Sequence, residues 1–115
     1  MKKFLESLGY AWRGLRVVFV GERNMQIHGV ITLVVIVLGF YYHITAGEWI
    51  AVLLCIGLVF ILEIINTAIE ALVDLVQPAY DPVAGKVKDI AAGAVLVGAV
   101  VAIVIGTIIF GKYVF

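Results

Sequence analysis

The chain has 115 residues, of which 64% are hydrophobic and 14% charged, against a soluble average of about half and about a quarter. Its length fits a single domain, residues 1–115, and its composition excludes a water-soluble globule in favour of an all-α integral membrane protein. Net charge is zero, so no basic surface argues for nucleic acid.

Residues 1–21 read as an N-terminal amphipathic surface helix. Phe4, Leu5, Leu8, Trp12, Leu15 and Phe19 share one face, and Lys2, Lys3, Glu6, Arg13 and Arg16 the other, a pattern that lies in the membrane interface with basic residues toward anionic headgroups. It lacks the apolar core and small-residue cleavage site of a signal peptide, so none is expected. Gly21 breaks the pattern, and Glu22-Arg23-Asn24 forms a polar cluster at the mouth of a first span, residues 27–42. That span closes on Tyr41, Tyr42 and His43 at the level of an aromatic belt. Thr45-Ala46-Gly47 is a short turn, which makes the first two spans antiparallel neighbours.

The second span covers residues 48–73. Its charge-free part, Trp49 to Leu62, is too short to cross alone, so the helix continues through the acids that follow. Gln77 to Pro82 forms a loop containing two prolines. A third transmembrane helix, residues 90–111, carries Ala94, Gly98, Ala102 and Gly106 on one face, small residues that allow close helix approach within or between subunits. Lys2, Lys3, Arg13, Arg16 and Arg23 precede the first span, and Lys86 and Lys88 lie between the second and third. The positive-inside rule therefore puts the N-terminus and the Gln77–Pro82 loop in the cytoplasm. Cys55 is the single cysteine and reads as a small apolar side chain. His28 and His43 read as interfacial polar residues, since neither has a second ligand at helical spacing.

The chemistry concentrates in Glu63-Ile-Ile-Asn-Thr-Ala-Ile-Glu-Ala-Leu-Val-Asp74. At about 100° per residue, Glu63, Asn66, Glu70 and Asp74 fall within an arc of roughly 80° on one helix face. Glu63 lies roughly 22 Å along the helix from Glu48, in the cytoplasmic third of a bilayer core about 30 Å thick. An ionised acid facing lipid there costs about 2.5–3.5 kcal/mol or more, so it should face protein or a water-filled cleft. Gly106 to Lys112 imitates the start of a Walker A motif, but Tyr113 replaces the hydroxyl residue that would meet magnesium, and the segment sits at the outer end of a membrane helix.

What is left is a cytoplasmic cluster of Glu22, Glu63, Asn66, Glu70, Asp74, Lys88 and Asp89. Carboxylates suit Mg²⁺, which keeps waters and substrate phosphates in its shell, a lysine suits phosphate, and a desolvated acid can accept a hydroxyl proton. These are the parts of phosphoryl transfer. Intramembrane carboxylates also describe an ion or proton carrier, although no relay continues through the other spans, and a membrane subunit without chemistry fits the composition as well.

Glu63-x-x-Asn66-Thr67-Ala68-Ile69-Glu70-x-x-Val73-Asp74, with Lys88-Asp89 following, resembles the signature of the prokaryotic diacylglycerol kinase family. The resemblance extends from Gly9-Tyr-Ala-Trp-Arg-Gly-Leu15 through the third span, and Glu22-Arg-Asn-Met-Gln-Ile-His28 is similar to the undecaprenol kinase branch, the diacylglycerol branch having an acid at the position of His28. It implies a homotrimer with active sites shared between subunits in a bacterial cytoplasmic membrane, and ATP- and Mg²⁺-dependent phosphorylation of a lipid alcohol, undecaprenol ahead of diacylglycerol. It further implies Glu63 as catalytic base, Asn66 positioning the reacting groups, Glu22 and Glu70 as magnesium ligands, Asp74 and Tyr10 lining the nucleotide site, Lys88 holding phosphates and Asp89 in support.

Overall fold

Four helices and no strand make up the computed structural model, which describes residues 1–115: α1 (Lys2–Gly21), α2 (Arg23–Tyr41), α3 (Ala46–Val76) and α4 (Pro82–Val114). By length and composition α2, α3 and α4 can each cross a membrane, the architecture of a multi-pass membrane protein. At 1.5 Å per residue, 31-residue α3 is roughly 46 Å long, well beyond a hydrocarbon core of about 30 Å. Its polar end therefore has helix to spare outside lipid.

Each break in the helical path has a local cause. Between α1 and α2 only Glu22 leaves helical geometry, at φ −106° and ψ 118°. Gln26 bridges this kink by donating from Nε2 to the Val20 carbonyl at 2.9 Å. The α2–α3 turn needs a left-handed residue, and His43 supplies it at φ 53°. Thr45 then starts α3 with a capping box: its hydroxyl accepts from the Glu48 amide at 3.2 Å, and Glu48 Oε1 accepts from the Thr45 amide at 2.9 Å. Helix α4 begins earlier than the expected span because Pro82 occupies its first turn, where a missing N–H costs nothing. Asp81 caps it by accepting from the Ala84 amide at 3.0 Å.

Helices α3 and α4 form the main packed pair, with α2 against α3 and α1 touching both α2 and α3. Two glycines decide how close they come. A Cβ on Gly98 would stand 2.5 Å from Leu62 Cδ1, and one on Gly39 would stand 2.6 Å from Trp49 Cη2. Of the small-residue stripe on α4, Gly98 is thus spent on packing inside the subunit.

The apolar core sits at the α2–α3 turn end, where Ile44, Val52 and Ile109 are buried among Val35, Tyr42, Trp49 and Phe110. Here Glu48 does a second job. Besides capping α3, it accepts from the Tyr113 hydroxyl and pairs with Lys112 Nζ at 2.6 Å, tying the start of α3 to the end of α4. Elsewhere burial is slight, with only 11 residues of 115 buried, and residues such as Leu54, Val37 and Ile103 lie open. Exposed apolar helix faces of this kind suit lipid or other subunits, where no backbone polar group is left uncovered.

Candidate functional site

At the opposite end of the helices, α3 buries two polar side chains in succession: Glu63 is 3% exposed and Asn66 7%. Both lie within the unbroken helix α3, so the three- and four-residue steps hold their orientation. One step further, Asn66 Nδ2 donates to Glu70 Oε1 at 3.1 Å. Asn66 Oδ1, also buried, has no hydrogen-bond partner. The Glu63 backbone carbonyl accepts from the Thr67 hydroxyl at 3.0 Å.

Two neighbouring helices add to this line. Lys88 on α4 pairs its Nζ with Asp74 Oδ1 at 2.5 Å, the two side chains being 38% and 60% exposed. That joins a cation to the solvent end of the acidic stripe. From α2, His28 brings Nε2 to 3.9 Å from Glu63 Oε2, with the imidazole 22% and the carboxylate 4% exposed. Polar groups thus run down one side of α3 from a buried acid to an open ion pair.

The remaining predicted site residues are not joined to that line within one chain. Glu22 is half-buried at the α1–α2 kink, and its carboxylate takes part in no ion pair. Asp89 is exposed on α4. Tyr10 is exposed on α1 beneath the Arg13 guanidinium, 5.1 Å from its ring centroid. No three His, Cys, Asp or Glu side chains converge as a metal cage. The donors that are present, the Glu70 carboxylate and the partnerless Asn66 Oδ1, are hard oxygens of the kind Mg²⁺ takes when waters and substrate phosphates complete its shell.

His28 is the site neighbour that spacing along one helix missed. A depth count could have found it. His28 lies 13 residues before the end of α2 at Tyr41, roughly 20 Å of helix, and Glu63 lies 17 residues after the start of α3 at Ala46, roughly 26 Å, so antiparallel helices put them within about one turn of each other.

Residues 9–110 match the family model described as prokaryotic diacylglycerol kinase. The chain is 41% identical over 110 residues to the undecaprenol kinase of Bacillus subtilis (strain 168), covering 96% of this chain and 89% of that protein. It is 32% identical over 102 residues to the diacylglycerol kinase of Escherichia coli (strain K12), covering 89% and 84%. A diacylglycerol kinase of Synechocystis is 41% identical over 103 residues, 89% of this chain and 59% of that protein.

Proposed function

The chain belongs to the prokaryotic diacylglycerol kinase family, and on that premise we propose that it transfers the γ-phosphoryl group of ATP to a membrane lipid alcohol, undecaprenol in first place. The observation that carries this reading is the graded stripe on α3. A buried acid, Glu63, suits a hydroxyl arriving from lipid, and the open Lys88–Asp74 pair suits phosphates arriving from water.

In this reading Glu63 accepts the proton of the hydroxyl while the hydroxyl oxygen attacks the γ-phosphorus. The bond from that phosphorus to the bridging oxygen breaks, and ADP leaves. Asn66 positions the reacting groups beside Glu63, and Lys88 holds phosphate oxygens as a point charge. Asp74, Tyr10 and Asp89 line the nucleotide site. Glu70 and Glu22 would hold Mg²⁺, whose charge offsets that of the phosphates. By the family resemblance the protein is a homotrimer whose active sites are shared between neighbouring copies. Helix α1, amphipathic in sequence, lies on the cytoplasmic face of a bacterial membrane with the N-terminus inside, as the basic residues before α2 and α4 favour.

Undecaprenol is placed first on the high coverage of the match to an undecaprenol kinase and on His28, which differs from the acid of the diacylglycerol branch. Diacylglycerol is the second reading, favoured by the equal identity to the Synechocystis protein. The test is to incubate purified protein with γ-labelled ATP and each lipid and to follow label into the organic phase. Transfer to undecaprenol is expected, and no transfer to either lipid would reject the kinase reading.

A further inference from the structure

The acidic stripe and an apolar groove meet at one residue. Helices α2 and α4 each pack on α3 but not on each other, and they leave between them a groove of about 520 Å³. Its lining is apolar along nearly its whole length, with Val59, Phe60, Ala102, Gly106 and Phe110 representative. His28 lines it too, and the same imidazole faces Glu63 at 3.9 Å. No other side chain is paired with that carboxylate.

The groove volume falls within the ~300–1,000 Å³ of ordinary ligand pockets. The apolar lining suits the chain of a membrane lipid, and the end at His28, beside Glu63, suits its hydroxyl head. With its head at His28, such a chain places a terminal hydroxyl beside Glu63. Its tail then points toward the aromatic cluster of Tyr42, Phe110 and Tyr113.

Resting on the lipid kinase reading, we propose that His28 is a positioning residue that orients the Glu63 carboxylate toward the hydroxyl of a lipid alcohol whose apolar chain lies in this groove. Carrying its proton on Nε2, the imidazole holds Glu63 Oε2 and leaves Oε1 to take the hydroxyl proton. At 3.9 Å the pair stands just beyond hydrogen-bond reach, as catalytic pairs often do before substrate binds. The role belongs to this residue because His28 alone belongs to both the groove and the acidic line.

The experiment compares wild-type protein, His28→Leu and His28→Gln in mixed micelles with ATP and a long-chain lipid alcohol. His28→Leu is expected to lower kcat by about tenfold or more with the KM for ATP within about twofold, because only the orientation of the base is lost. Glutamine retains an N–H donor, so His28→Gln is expected to recover kcat to within about threefold of wild type. Unchanged kcat in His28→Leu, or equal losses in both variants, overturns the positioning role. The groove is tested by Gly106→Leu, since a Cβ there meets nothing within 4 Å. The ratio of KM for a long-chain to a short-chain alcohol should rise by about tenfold. An unchanged ratio overturns the groove assignment, and dissociation of the assembled protein overturns it by giving the groove to a second copy. Absence of transfer in the wild-type protein fails the kinase reading and this proposal together, whereas an active wild type matched by His28→Leu fails the proposal alone.

Discussion

Replacing Glu63 with glutamine removes a proton acceptor and changes little else. The side chain is 4% exposed, its volume is preserved, and the backbone carbonyl still accepts from Thr67, so α3 keeps its course. A general base contributes about 10²–10⁴ in rate, or roughly 3–5 kcal/mol at about 1.4 kcal/mol per decade. Burial this deep leaves little water to act in the lost carboxylate's place. The expected loss in Glu63→Gln is therefore in the upper half of that range, about 10³–10⁴ in kcat. Burying a neutral amide costs less than burying a carboxylate, so the melting temperature should hold or rise. The assay is steady-state phosphate transfer to undecaprenol, with nucleotide binding followed separately by a fluorescent ATP analogue. Binding within about threefold of wild type alongside the collapse in kcat supports the assignment, because the base acts only in the transition state. A variant that retains kcat to within about tenfold refutes Glu63 as the base.

Lys88→Met should raise the KM for ATP by about tenfold or more, as a lost phosphate contact does, while shifting stability by under about 1 kcal/mol because the Lys88–Asp74 pair is exposed. Equal KM values would remove Lys88 from the nucleotide site. Removal of divalent cations with EDTA should abolish transfer and added Mg²⁺ restore it, with Glu70→Gln needing about tenfold more Mg²⁺ for half-maximal rate; an unchanged Mg²⁺ titration would contradict the ligand assignment. Tyr113→Phe removes a hydrogen bond to a carboxylate far from the acidic line and should lower the melting temperature with kcat unaffected, as thermal unfolding in detergent and the transfer assay report. Gly98→Leu drives a side chain into Leu62, whose Cδ1 lies 2.5 Å from the would-be Cβ, and should cost about 1–3 kcal/mol, whereas Gly93→Ala, with nothing within 4 Å, should be tolerated.

Periodicity and hydropathy made the helical architecture legible because a helix that must face lipid announces itself over some twenty residues. The Glu63, Asn66, Glu70 stripe was legible for the same reason, since a fixed 3.6-residue period translates spacing directly into a shared face. Contacts between helices are another matter. Gly98 against Leu62 and Gly39 against Trp49 depend on axial register between elements, and the small-residue stripe alone left open whether α4 packs within or between subunits. His28 looked like an interfacial residue because its partner lies 35 positions away in sequence. Helices α3 and α4 start before their expected bounds through capping by Thr45 and Asp81, short-range chemistry that hydropathy windows do not register. Glu22 leaves the helical path at the α1–α2 kink, a break that helical spacing from the α3 stripe does not reach.

The most direct measurement of the central claim is a competition. Purified protein receives γ-labelled ATP, Mg²⁺ and equimolar undecaprenol and diacylglycerol in one micelle preparation, and the two phosphorylated lipids are separated and counted. The account predicts rapid labelling, with undecaprenyl phosphate exceeding phosphatidate by about tenfold, the discrimination expected of roughly 1.4 kcal/mol. Label in neither lipid, with ATP left intact, contradicts it.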